Sequence, residues 1–154
     1  MKRIVTLILF LGMLIVSVGI VSAATLNITA NVSSALILSL SDDKLLFDNV
    51  LPGAPSLTQQ LTATTAGTSA YQLTLSCSEF KSRGVTEPAS VLQFKEAEET
   101  TYKNASTSAQ NMLTSPGMAT VEGDQKVFDM RVYFPATALN GQYKATVTIS
   151  AIPM

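Results

Sequence analysis

The chain has 154 residues, 47% of them hydrophobic, a formal net charge of −1, no histidine, no tryptophan and one cysteine. Its length fits one domain, and its near-neutral charge without a basic stripe argues against nucleic acid or an anionic lipid surface as partner. The absence of histidine removes the commonest general base, the commonest metal ligand and every Ser-His or Cys-His nucleophile pair.

The first 23 residues stand apart. Lys2 and Arg3 precede an apolar run from Ile4 to Val21, and Val21-Ser22-Ala23 has the small-residue pattern of a signal-peptidase site. Residues 1–23 read as a signal peptide cleaved after Ala23, and residues 24–154 as a single domain. The run is long enough to span a bilayer, but its small-residue ending and the lack of charge after it favour cleavage. No other run is long enough, so no membrane partner is expected after cleavage. The mature chain is therefore expected to be secreted, extracellular or held at the cell surface, and mildly acidic.

The mature sequence then alternates, strand after strand. "TLNITANV" sets Leu26, Ile28, Ala30 and Val32 against Asn27, Thr29 and Asn31. "ALILSL" puts Leu36, Leu38 and Leu40 on one face, and "KLLFDNV" runs into the turn Leu51-Pro52-Gly53. "LTQQLTAT" and "AYQLTLSC" flank "TAGTS", which reads as a hairpin loop. Cys77 shares a face with Tyr71, Leu73 and Leu75. It reads as a small buried hydrophobe rather than a thiol kept for pairing between chains. "SVLQF" is a weaker strand.

Glu96 to Pro116 is polar and without period, and reads as a long surface loop with one helical turn near Ser108–Leu113. "KVFDMRVYF" alternates Phe128, Met130, Val132 and Phe134 against polar partners. Asn140-Gly141 reads as a tight turn built on positive φ. The last strand carries Tyr143, Ala145, Val147, Ile149 and Ala151 on one face. Its Tyr143 ring is expected to be buried with the hydroxyl on nearby backbone, much as in a tyrosine corner. This strand is expected to lie between partners in its own domain. About eight short strands bounded by turn residues predict an all-β fold, an Ig-like or jelly-roll sandwich of about 7–8 mostly antiparallel strands.

The search for chemistry returns nothing. Glu96, Glu98 and Glu99, and likewise Asp42, Asp43 and Asp48, read as solvated acids rather than cation ligands. No carboxylate has the apolar neighbours that raise a pKa for acid–base work. The expectation is no catalytic residue, no cofactor, no metal and no enzyme. Sequons at Asn27, Asn31 and Asn104 matter only where exported chains are glycosylated.

Three stretches together, "ITANVSSALILSL", "LLFDNVLPGAPSLTQQLTATT" and "NGQYKATVTIS", resemble the exported β-sandwich subunits of prokaryotic cell surfaces. These are the pilin-like and spore-coat-U-like proteins and the camelysin and TasA group of fibre proteins. The resemblance implies a structural subunit that self-associates into a homopolymer when one copy lends a strand to the next. The donor candidates are Leu26, Ile28, Ala30 and Val32, on a strand without charge or proline to guard it. In the free monomer that strand is expected to pair within its own sheet. The alternative is a monomeric extracellular module that binds a carbohydrate or a host or matrix protein. Its loop would present Glu98, Glu99, Tyr102 and Asn104.

Overall fold

In a computed structural model, residues 21–31 and 36–154 are described. In chain order the strands are β1 (Val21–Asn31), β2 (Leu36–Leu40), β3 (Lys44–Val50), β4 (Gln59–Gly67), β5 (Ala70–Cys77), β6 (Phe80–Ser82) and β7 (Val85–Glu87). A 3-10 turn at Ala89–Val91 leads into β8 (Leu92–Glu96). β9 (Lys103–Asn104), β10 (Gln110–Asn111), β11 (Gly117–Met118), β12 (Asp124–Val132) and β13 (Gln142–Pro153) follow. They form two sheets. One runs β10-β5-β13-β1-β3, with β11 also on β5 and the β6–β7 hairpin on β13; the other runs β2-β4-β12-β8-β9. The protein is an all-β sandwich, and its long pairs are antiparallel except β1 with β13.

Alternation explains the core. On β5, β12 and β13 every second side chain points between the sheets, so Tyr71, Leu73, Leu75, Cys77, Phe128, Met130, Val132, Tyr143, Val147 and Ile149 are all buried. Phe80 and Phe134 meet edge to face at 5.6 Å, and the Phe134 ring lies 4.7 Å from that of Tyr143. The Tyr143 hydroxyl donates to the Leu139 carbonyl at 2.9 Å, so the buried ring keeps a satisfied polar end. β13 lies between β1 and β5, in the interior of its sheet.

Three local expectations are corrected. "TAGTS" does not close a hairpin: β4 and β5 lie in different sheets, and the connection carries the chain across the sandwich. There Gly67 donates its N–H to the Thr120 carbonyl at 3.0 Å, so a distant segment sets the path. Asn140-Gly141 is not a positive-φ turn, since positive φ among the described glycines occurs at Gly53, Gly67, Gly84 and Gly123. Gly141 is instead a point of close approach: a Cβ there would sit 2.5 Å from Ser82 Oγ, and a larger residue would have to turn that hydroxyl aside. Finally, Glu96–Pro116 is neither a free loop nor helical. Ala105, Met112 and Leu113 are buried, and its short strands β9 and β10 pair with β8 and β5.

Candidate assembly site

β1 fills a slot between β13 and β3. Against β13 it runs parallel, from Ala23 opposite Gln142 to Asn31 opposite Ser150. Against β3 it runs antiparallel, from Val21 opposite Val50 to Asn27 opposite Lys44. Ala24, Leu26 and Ile28 point between the sheets and are buried. Ala30 does not join them: it is exposed, beyond the point where β3 ends its pairing at Asn27. Val32 lies outside the described residues. The strand begins at Val21, so it includes the expected cleavage triplet as well as the alternating stretch. Its outward residues Thr25, Asn27 and Thr29 lie beside Lys144, Thr146 and Thr148 of β13.

The acidic loop is held to the body. Tyr102 lies under the Arg131 guanidinium, 3.8 Å from ring centroid to carbon, with Lys95 Nζ at 5.5 Å, and its hydroxyl is 3.1 Å from Thr58 Oγ1. Asn104 Oδ1 accepts from Gln93 Nε2 at 2.9 Å. Glu99 accepts from the Thr114 hydroxyl at 3.0 Å and Glu96 from the Thr114 N–H at 2.6 Å. Glu98 is exposed. The loop residues therefore lie along one stretch of surface, but Tyr102 and Asn104 are occupied by contacts inside the domain.

Perturbed titrating groups are structural in their partners. Burial pushes the Cys77 thiol up to about 12. Burial and a 2.7 Å hydrogen bond to Asp124 raise Tyr71, which joins the two sheets. Gly117 packs flat on that ring, where a Cβ would meet it at 2.5 Å. The Lys95 ammonium, 2.8 Å from Asp129, holds that carboxyl below its usual value. Among the described residues no three His, Cys, Asp or Glu side chains gather as a metal site, and no helix is long and apolar enough to cross a membrane.

Sequence reasoning missed one feature, a groove of about 460 Å³ between β3 and the chain leading into β4. It is lined by Leu46, Phe47, Leu51, Pro55 and Leu57. Leu57 is 86% exposed and Leu46 50%. Leu51, Pro55 and Leu57 belong to the connection, where no period marks them. Leu46 stands on the polar face of an otherwise regular strand, and that misplacement was the available signal. Comparison of the chain with protein-family models and with curated proteins finds no match.

Proposed function

We propose that the chain is an exported, non-enzymatic structural subunit of the cell surface or of an extracellular fibre, and that it polymerises when β1 of one copy fills the β13–β3 slot of another. The observation that carries this reading is the placement of an uncharged, proline-free strand, buried through Ala24, Leu26 and Ile28, as an interior strand joined to β2 by residues 32–35. The slot offers backbone partners on both sides and pockets for alternate side chains, the two components of recognition by strand addition. A donated β1 makes the same contacts as a retained one, so exchange trades little enthalpy. Cleavage after Ala23 frees the N-terminal end of the strand. β1 would then keep Ala24, Leu26 and Ile28, while Ala30 adds little.

The alternative, a monomeric carbohydrate- or protein-binding module, has less support. Its loop spends Tyr102 on Arg131 and Asn104 on Gln93. The test is the mass of residues 24–154 by light scattering across a concentration series, beside a chain that starts at Ser34. Strand exchange predicts long, denaturant-resistant assemblies from the first and none from the second. A full chain that stays monomeric at every concentration contradicts it and leaves the binding module.

A further inference from the structure

Among the described residues β3 is an edge strand: its neighbour in the sheet is β1, and its other side faces the groove lined by Leu46, Leu51 and Leu57. The phase of that edge is fixed. Ile28 donates its N–H to the Asp43 carbonyl at 2.9 Å, and the register with β1 is unbroken from Asn27–Lys44 to Ala23–Asp48. In an antiparallel ladder, hydrogen-bonded residues alternate. Asp43, Leu45 and Phe47 therefore turn their backbone groups towards β1, and Lys44, Leu46 and Asp48 turn theirs outwards. The side chains of Lys44, Leu46 and Asp48 are all exposed on the outer face, while Leu45 and Phe47 are buried.

Edge strands usually carry charge to prevent pairing. Here the two charges have opposite sign and stand symmetrically about Leu46. We infer that β3 is a docking edge for β3 of a second copy, in an antiparallel two-fold register centred on Leu46. In that register Lys44 faces the other copy's Asp48 twice, Leu46 faces Leu46, and the outward N–H and C=O groups of 44, 46 and 48 pair across the axis. Parallel addition would set Lys44 against Lys44, and like charges opposite one another are destabilising. The register has the self-complementarity that a two-fold contact requires. Asn49, at a φ of 54°, ends the pairing segment. The half-exposed Leu46 and the apolar rim of the groove then meet the same surface of the other copy instead of water. This contact leaves β1 in place, so it is separate from strand exchange and would join chains or fibres side by side.

A single cysteine at the axis tests it. Hydrogen-bonded antiparallel residues have Cα atoms about 5.5 Å apart, within disulfide range. Mild oxidation of Leu46→Cys is expected to give a covalent dimer, whereas an exchanged β1 sets β1 rather than a second β3 beside β3 and brings no two copies of residue 46 together. Lys44→Glu added to that chain places two acids opposite one another and is expected to abolish the dimer. Lys44→Glu with Asp48→Lys swaps the charges and is expected to restore it, which also shows that the charge reversal had not unfolded the chain. No dimer from Leu46→Cys, a dimer undiminished by Lys44→Glu, or no restoration by the swap would each overturn the inference.

Discussion

Cys77 is enclosed at the end of β5, 1% exposed, with its thiol donating to the Ser78 carbonyl at 3.2 Å. Reactivity belongs to the thiolate, and burial pushes this thiol up to about 12. A thiol reagent at neutral pH is therefore expected to leave the native protein unlabelled and to label it once per chain in denaturant. Rapid labelling of native protein would place Cys77 at a surface and reopen pairing between chains. This residue was legible in the sequence because it falls in phase with Tyr71, Leu73 and Leu75. Tyr143 was legible for the same reason, down to its hydroxyl on nearby backbone. Gly141 was not. The Asn-Gly pair signals a turn, but the close approach at 141 is to Ser82, far away in sequence.

The strands β8 and β12 are tied on their outer face by Lys95 and Asp129, whose side chains are 12% and 16% exposed. Gln60 of β4 adds a hydrogen bond to the same carboxylate at 3.2 Å. The Lys95 hydrogen bond holds Asp129 below its usual value in the folded chain. The folded pKa lies under the unfolded one, so the stabilisation is present above the unfolded carboxyl value near ~4 and is lost as pH falls through the folded value. Asp129→Asn is expected to cost about 1 kcal/mol at neutral pH and to shrink the loss of stability on acidification. A variant with an unchanged acid limb in denaturant titrations would contradict this. At this scale long strands were readable and short ones were not. β5, β12 and β13 each repeat the alternation at least three times, enough to declare a period. β9, β10 and β11 have two residues each and show none. Their segment is fastened by Ala105, Met112 and Leu113, apolar residues too isolated to suggest a face. The β4–β5 connection misled in the other direction: two good strands and a small-residue link resemble a hairpin, and only the choice of sheet partners separates them.

For the whole molecule, the two-sheet architecture follows from alternation, and the slot that β1 occupies follows from which strands flank it. The class of fold could be read from periodicity. The parallel pairing of β1 with β13 could not, because it joins the two ends of the domain and leaves no local signature. The groove beside β3 was hidden similarly, since its wall combines a strand of one sheet with the approach to a strand of the other. Leu26 and Ile28 hold β1 in the slot wherever the strand originates, each contributing about 1.5–3 kcal/mol by burial. Stability therefore does not distinguish a retained strand from a donated one, but covalent connectivity does. Thr29 and Thr148 are register partners on the outer face, clear of the core. Parallel neighbours lie about 4.8 Å apart, a separation that a disulfide accepts. The decisive measurement is a non-reducing gel of assembled Thr29→Cys/Thr148→Cys protein (residues 24–154) after oxidation. Strand exchange predicts a ladder of covalently linked chains that collapses to one band on reduction. A single monomer band carrying an internal disulfide would show that every β1 fills its own slot, and would contradict the account.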